Sequence, residues 1–198
     1  MIKAIIFDAD GVLVKSEFLS TRLIKDRGAQ KEHFDKFFAG PFQNCLIGKA
    51  DLREEITRAW PIWKWDGDVD SLLALWFAED ANRIDARFGS VIADLKSRGI
   101  ICALGTNNEK YRTDDLLHNK GLAKWFKKHH VFSSGYVGKK KPDQGFFAHV
   151  SEALQLKPSE IAFWDDDPEN VAAARLHGMQ ANHYTSFDEF MRWVEGIK

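Results

Sequence analysis

Helical and strand-like hydrophobic patterns alternate along the chain from Gly89 onward. The segment VIADLKSRG places its apolar residues on one helical face and ends at Gly99, before the apolar strand IICAL. The segment FFAHVSEAL predicts another helix before the strand IAFW, and DPENVAAARLHG predicts a third helix before QANHY and a final helix. At the start of the chain, KAIIF predicts a further strand. This order is typical of an α/β fold in which helices cover a parallel sheet.

The pattern between roughly residues 15 and 87 is different, because it contains helical patterns and no convincing strand. Its apolar residues recur at helical spacing in two runs, which are Leu52, Ile56 and Trp60, and then Val69, Leu72, Leu73 and Trp76. The sequence therefore predicts an all-helical insert, residues 15–87, within a sheet domain formed by residues 1–14 and 88–198.

Tryptophan is concentrated in this insert, which holds four of the seven in the chain, namely Trp60, Trp63, Trp65 and Trp76. Such large aromatic side chains are most simply explained as the hydrophobic core of the insert. Trp63 and Trp65 lie in a predicted loop, PIWKWDGD, and are therefore also candidates for stacking against a ligand.

Composition and charge exclude some classes of function. The 198-residue chain has 28 Lys and Arg against 29 Asp and Glu, a formal net charge of -1, which gives no electrostatic reason to expect a nucleic-acid partner. No apolar stretch approaches about 20 residues, the length that spans a bilayer, and the first apolar run ends at Asp8, so neither a membrane segment nor a signal peptide is expected. Cys45 and Cys102 lie far apart among apolar residues, as expected for reduced thiols in a cytoplasmic protein, and a single disulfide between them stays open.

Polar residues follow the predicted strands at the points where the strands end. In an open parallel sheet, ligands bind beyond the carboxyl ends of the strands, so these residues should lie together. They are Asp8 and Asp10 after KAIIF, Thr106, Asn107 and Asn108 after IICALG, Asp165, Asp166 and Asp167 after IAFW, and the lysines of GKKKPD before a helix. Converging carboxylates suit Mg²⁺, which takes a few protein carboxylates and substrate phosphate, and the lysine and hydroxyl indicate a phosphoryl ligand.

Four of these segments, taken in order, resemble the motifs of the haloacid dehalogenase superfamily of phosphohydrolases. DADGVL is similar to the first motif, LGTNN to the second, KKKPD to the third and FWDDDPENVAAARLHG to the fourth, so the resemblance spans nearly the whole chain. The resemblance implies a three-layer, Rossmann-like core with Mg²⁺ as cofactor. It also implies that residues 15–87 are a small helical cap of the β-phosphoglucomutase-like kind.

The resemblance implies a role for each acidic residue. Asp8 would attack phosphorus and form an aspartyl-phosphate. Asp10 would act as general acid toward the leaving alcohol and as general base toward water, while its backbone carbonyl binds the metal. Asp166 would bind the metal together with Asp8, and Asp165 would be either a direct ligand or the neighbour of one. Asp167 stands where a small polar residue is usual and is expected to cap the following helix.

The same resemblance assigns the groups that bind substrate. Thr106 and Lys141 would hold the phosphoryl oxygens, helped by the backbone N–H of Asn107. Lys141 is preferred over the two lysines before it because it directly precedes a proline, as in the family pattern. Lys49, in IGKAD, resembles the cap loop that faces the active site in related enzymes and is expected to contact the substrate.

The function implied is Mg²⁺-dependent hydrolysis of a small phosphorylated metabolite by a monomer or weak homodimer. A phosphomutase of the β-phosphoglucomutase type shares every core motif and stays an alternative. Dehalogenase chemistry fits less well, because it uses no metal and needs no acid at Asp10, and a phosphonatase would need a Schiff base on a cap lysine such as Lys49. A non-catalytic scaffold should have lost at least one motif residue, and here all are present.

Overall fold

The computed structural model of the chain describes residues 1–16, 19–63, 65–78 and 82–197. Among these residues, no helix has both the length and the apolar character needed to cross a membrane. The helices and strands are, in chain order, β1 (Ala4–Phe7), β2 (Val14–Ser16), α1 (Leu19–Arg27), α2 (Lys31–Ala39), α3 (Pro41–Leu46), α4 (Leu52–Ala59), α5 (Val69–Trp76), β3 (Asn82–Ile84), α6 (Arg87–Ser97), β4 (Ile101–Thr106), α7 (Lys110–Asp114), β5 (Val131–Ser133), α8 (Ser134–Val137), α9 (Gln144–Leu154), β6 (Ile161–Asp165), α10 (Pro168–Leu176), β7 (Gln180–His183) and α11 (Phe187–Gly196).

Five of the strands form one parallel sheet in the spatial order β5, β4, β1, β6, β7. Strand β1, the first strand in the sequence, lies at the centre of the sheet with β4 on one side and β6 on the other. The strands predicted over KAIIF, IICAL and IAFW are confirmed, and QANHY contains β7. Strand β5 was not predicted, because three residues are too few to show a period.

The sheet is covered on both faces. Successive side chains of a strand point to opposite sides, so Ile5 and Phe7 of β1 pack with α6 and α11, whereas Ala4 and Ile6 pack with α9 and α10. Every residue of β1 and β6 is buried, as is typical of strands in a parallel sheet between two helical layers. The predicted α/β fold with a helix-covered parallel sheet is therefore confirmed.

The helices between β2 and β3 bury a hydrophobic cluster of their own, which shares no buried residue with the two clusters against the sheet. The side chains of Asp51 and Asp68 accept backbone N–H groups at the starts of α4 and α5. These N-caps satisfy donors that have no partner within the helix, and they define where each helix begins.

Trp63 lies inside this cluster and is fully buried. Its ring centroid is 4.9 Å from that of Phe34 and 4.7 Å from that of Phe37. The possibility that Trp63 stacks against a ligand is therefore wrong, because a 3-10 turn over Trp60–Trp63 directs the ring into the core. Trp65 is only partly buried against the same cluster, and its Nε1 donates to the backbone oxygen of Asp68 at 3.0 Å.

A two-stranded antiparallel ribbon connects the helical segment to the rest of the chain. Strand β2 pairs with β3, so that Val14 lies opposite Ile84 and Ser16 lies opposite Asn82. The expectation that residues 15–87 contain no strand is therefore wrong. Each strand has three residues and finds its partner far along the chain, so no local pattern reveals it. The division into a sheet domain and a cap at residues 15–87 stays a prediction.

The two cysteines are both buried and both free. Cys45 lies in the cluster of the helical segment, and Cys102 lies on β4 against the sheet. Burial raises the pKa of each thiol to about 12, so both are protonated at neutral pH. The structure therefore contains no disulfide between Cys45 and Cys102.

Candidate active site

Asp8 and Asp165 are neighbours at the carboxyl edge of the sheet because of the strand register. Phe7, at the end of β1, lies opposite Leu104 of β4 and Trp164 of β6. The backbone N–H of Asp8 donates to the carbonyl oxygen of Trp164 at 2.9 Å, which extends the pairing by one residue. The residues that end β1 and β6 therefore bring two carboxylates together.

The ammonium group of Lys141 lies between these two carboxylates. Its Nζ is 2.9 Å from Asp8 Oδ1 and 2.6 Å from Asp165 Oδ2, and the side chain is only 1% exposed. A buried charge is tolerated only when it is paired and hydrogen-bonded, so the three groups depend on one another. The third predicted motif is thus joined to the first and the fourth.

The pKa values of these groups follow from burial and charge. Burial raises the pKa of Asp8 to about 8, against the lowering effect of the Lys141 ammonium, and the Asp165 carboxylate adds to the rise. Burial lowers the pKa of Lys141, but the two carboxylates outweigh it, and the net shift is upward. A further cation beside Asp8 would favour its ionised form.

Neighbouring polar groups hold these side chains in place. The Asn107 amide makes two hydrogen bonds with the Lys141 backbone, donating from Nδ2 to its oxygen and accepting from its N–H, both at 2.8 Å. Asp165 Oδ1 accepts from the backbone N–H of Asp167 at 2.9 Å and from Asn170 Nδ2 at 3.1 Å. The Asp167 side chain also accepts a backbone N–H of α10, which confirms its predicted role as the N-cap.

Asp166 adds a third carboxylate to Asp8 and Asp165. One oxygen from each of the three lies within 4.8 Å of the others, and Asp166 is the exposed member. Burial of part of its carboxyl and the Asp165 charge raise the pKa of Asp166. Gly11 has a φ of +86°, and a Cβ placed on it would lie 2.0 Å from Asp166 Oδ2, so a side chain at residue 11 would displace this carboxylate. Such an oxygen-rich group is suited to a hard divalent cation.

Asp10 and Thr106 are linked through residues that follow β4. Asn108 Nδ2 donates to Asp10 Oδ2 and to Thr106 Oγ1, both at 2.8 Å. Arg112 Nη2, on α7, donates to Asp10 Oδ1 at 2.9 Å. The structure therefore brings two predicted site residues together and adds Arg112, which the sequence analysis missed. No motif spacing distinguishes Arg112 from a surface arginine, and only the fold buries its side chain to 7% exposure.

Lys49 lies on the wall of a cavity of about 220 Å³ between the helical segment and the start of α7. Glu109 and Tyr111 also line this cavity, and the Tyr111 hydroxyl donates to Asp51 Oδ2, another lining residue, at 2.7 Å. Gly48, beside Lys49, packs so closely on the residue 135 backbone that an added Cβ would lie 2.4 Å from its oxygen. The loop that carries Lys49 is therefore in direct contact with the sheet side of the molecule.

Sequence comparisons match the chain to a family over nearly its whole length. The model of the haloacid dehalogenase-like hydrolases matches residues 2–178. A sesquiterpene phosphatase of Aspergillus oryzae is 30% identical over 193 residues, which cover 92% of this chain and 90% of the relative. The drimenol cyclase of Aspergillus calidoustus is 30% identical over 122 residues, which are 61% of this chain but only 23% of that protein.

A solved structure shares the fold. A HAD family enzyme of Bacteroides thetaiotaomicron, in complex with magnesium and inorganic phosphate, matches with a TM-score of 0.81 and 18% identity, covering 97% of this chain and 100% of that chain. At this identity the similarity shows the fold alone. Because the family model spans residues 2–178, this protein belongs to the haloacid dehalogenase-like hydrolases, as its four motifs indicate.

Proposed function

We propose that the protein is a Mg²⁺-dependent phosphomonoester hydrolase in which Asp8 forms an aspartyl-phosphate. The observation that carries this proposal is the buried contact of Lys141 with both Asp8 and Asp165, beside the exposed carboxylate of Asp166. A phosphoryl group in transfer carries spread negative charge and needs fixed cationic donors, which Lys141 supplies next to the attacking carboxylate. Family membership supports hydrolysis, and the relative named a sesquiterpene phosphatase supports a phosphate ester as substrate.

The carboxylates fit a divalent cation in charge and in spacing. Asp8, Asp165 and Asp166 together with Lys141 leave two negative charges when all four are ionised. Two oxygens of one octahedral Mg²⁺ lie at most about 4.2 Å apart, so the carboxylate oxygens, within 4.8 Å of one another, need only small movements. Asp8, Asp166 and the Asp10 carbonyl would bind it directly, while Asp165 orients its neighbours. When bound, Mg²⁺ would offset negative charge on the phosphoryl oxygens.

The side chains then divide the reaction between them. In the first half, Asp8 attacks phosphorus, the ester P–O bond breaks, and Asp10 gives its proton to the leaving oxygen. In the second half, a water attacks phosphorus and gives a proton to Asp10, and the bond from Asp8 to phosphorus breaks to release inorganic phosphate. Lys141, the Thr106 hydroxyl and the Asn107 backbone N–H would hold the phosphoryl oxygens in both halves.

The organic part of the substrate would lie between the cap and the sheet domain. Lys49 lines the polar cavity of about 220 Å³, where it would contact a polar substrate. A wider groove of about 490 Å³ lies at Tyr111, with Leu73 and Phe77 among its apolar lining residues. The first space would suit a polar organic group, and the second combines apolar lining with Asp115, Asn119 and Lys120. Contacts between the cap and the sheet domain would exclude bulk water during the reaction.

Phosphate release from a panel of esters tests this proposal. The panel contains sugar phosphates, nucleoside monophosphates, phosphoglycolate, flavin mononucleotide and a sesquiterpenoid monophosphate, each assayed with Mg²⁺ and with EDTA. At least one ester should be hydrolysed only with metal, and Asp8→Asn should abolish release. Asp94→Asn, an exposed change on α6, is the matched control and should retain it.

A different experimental result would contradict each part of the proposal. Turnover that persists in Asp8→Asn would remove Asp8 as the nucleophile, and release that is insensitive to EDTA would remove the metal. No release from any ester, together with isomerisation of a sugar phosphate stimulated by a bisphosphorylated sugar, would favour the phosphomutase alternative.

A further inference from the structure

Arg112 is a buried arginine that contacts a proposed catalytic residue. It lies on α7, and its side chain is 7% exposed. Its Nη2 donates to Asp10 Oδ1 at 2.9 Å, although the two residues are 102 positions apart in the chain. An arginine is costly to bury unless its charge is matched, so its position near Asp10 is a specific feature of the fold.

Both oxygens of the Asp10 carboxylate accept hydrogen bonds from the segment that follows β4. Arg112 donates to Oδ1, and the neutral amide of Asn108 donates to Oδ2 at 2.8 Å. Hydrogen bonds from a charged donor are roughly twice as strong as neutral ones. The Asn108 contact is therefore the weaker of these two, and it is the one that a leaving-group oxygen would replace at the smaller cost.

The guanidinium of Arg112 is itself fixed by its surroundings. Its Nη1 is 3.5 Å from Asp115 Oδ2, and its central carbon lies 5.5 Å from the ring centroid of Phe77, a residue just beyond α5. The backbone N–H of Arg112 donates to Glu109 Oε1 at 2.6 Å. Arg112 therefore has a defined orientation from which to hold Asp10, and one of its contacts comes from the proposed cap.

We propose that Arg112 is a positioning residue that holds Oδ1 of Asp10, so that Oδ2 of the same carboxyl faces the leaving oxygen of the ester. This inference rests on the proposed phosphatase function and adds a residue to it. Proton transfer depends steeply on placement, and a displacement of about 1 Å can cost about 100-fold in rate. Lysine at this position would keep the positive charge but lose the planar fork that contacts Asp10 and Asp115 together.

The test compares two esters that differ in their need for an acid. An alkyl phosphate requires a proton on its leaving oxygen, whereas 2,4-dinitrophenyl phosphate releases a stable anion without one. In Arg112→Lys, kcat/KM for the alkyl ester should fall by about 10- to 100-fold, and kcat/KM for the dinitrophenyl ester by less than about threefold. Arg98→Lys, a change directly after α6 at a side chain that contacts Asp94 and the backbone oxygen of Ile197, should affect neither ester.

A double-mutant cycle separates positioning from a general structural effect. In an Asp10→Asn background the acid is gone, so adding Arg112→Lys should change kcat/KM of either ester by less than about twofold. Equal losses for both esters in Arg112→Lys, or a loss that persists in the Asp10→Asn background, would overturn the positioning role alone. Failure of the unaltered protein to hydrolyse either ester would overturn the proposed function, and the role of Arg112 with it.

Discussion

The buried carboxyl of Glu109 should make the protein less stable as the pH rises toward neutrality. Glu109 directly precedes α7 and is 2% exposed. Its two oxygens accept the backbone N–H groups of Tyr111 and Arg112, both at 2.6 Å. Burial raises the pKa of Glu109 from 4.5 to about 7, although these two hydrogen bonds lower it.

The sign and size of the effect follow from this pKa. A carboxyl with a higher pKa in the folded state binds more protons when folded, so the free energy of unfolding falls as the pH rises between the two pKa values. The shift from 4.5 to about 7 corresponds to about 3 kcal/mol, at about 1.4 kcal/mol for each pKa unit. The contribution is fully present below pH 4.5 and is lost above pH 7.

Urea unfolding of Glu109→Gln across this pH range measures the effect. Glutamine keeps one acceptor oxygen but does not titrate, so the difference in unfolding free energy between the two proteins isolates Glu109 from the other ionisable groups. With EDTA present, that difference should move in favour of the variant by about 3 kcal/mol between pH 4.5 and 8. The lost cap bond should lower the stability of the variant by about 1 kcal/mol at every pH.

Glu152→Gln, an exposed change on α9, is the matched control and should show no such trend. A difference between the unaltered protein and Glu109→Gln that stays constant with pH would refute burial as the dominant influence on this carboxyl. A difference that moves in the opposite direction would mean that the two backbone hydrogen bonds outweigh the burial.

Three shorter predictions concern the site and the core of the helical segment. Lys141→Met should lower the free energy of unfolding by about 3–5 kcal/mol, because it leaves two buried carboxylates without their cation. It should also abolish phosphate release. Unchanged stability in urea would contradict the expected loss of stability. Gly11→Ala should displace Asp166 and so raise the Mg²⁺ concentration needed for half-maximal activity. The control Gly99→Ala has a similar positive φ and no atom within 4 Å of its added Cβ, and it should leave this concentration unchanged. The same response in both variants would rule out the contact with Asp166 as the cause. Trp63→Ala should lower the free energy of unfolding, measured with heat or urea, by about 3–5 kcal/mol. Trp63→Phe should lower it less, because the buried Nε1 of Trp63 has no hydrogen-bond partner among the described residues. Equal losses in the two variants would contradict this reasoning.

The proposed role of Arg112 makes proton transfer at this site depend on more than the four motifs. Those motifs provide Asp8, Asp10 and Lys141, but a side chain of α7 also contacts the Asp10 carboxylate. A chain with intact motifs and a different residue at position 112 would be expected to favour esters whose leaving groups need no proton.

The sequence by itself determined the layered architecture and the chemical character of the site. Strand and helix periods are local properties, so KAIIF, IICAL and IAFW show their strands directly. Residues that end parallel strands must share one edge of a sheet, so the sequence alone places Asp8 and Asp165 together. Their contacts with Lys141, at 2.9 and 2.6 Å, agree with this placement. The N-cap role of Asp167 is equally local, because the capped N–H groups belong to the next few residues.

Only the tertiary structure decided which groups at that edge actually meet and which side chains turn inward. Trp63 sits in a segment with loop-like composition, yet its ring packs on Phe34 and Phe37 from a helix earlier in the chain. Strands β2 and β3 pair across the whole helical segment, and Arg112 reaches Asp10 across 102 positions. Burial and pairing of this kind depend on contacts between distant segments, and no period or spacing within one segment carries that information.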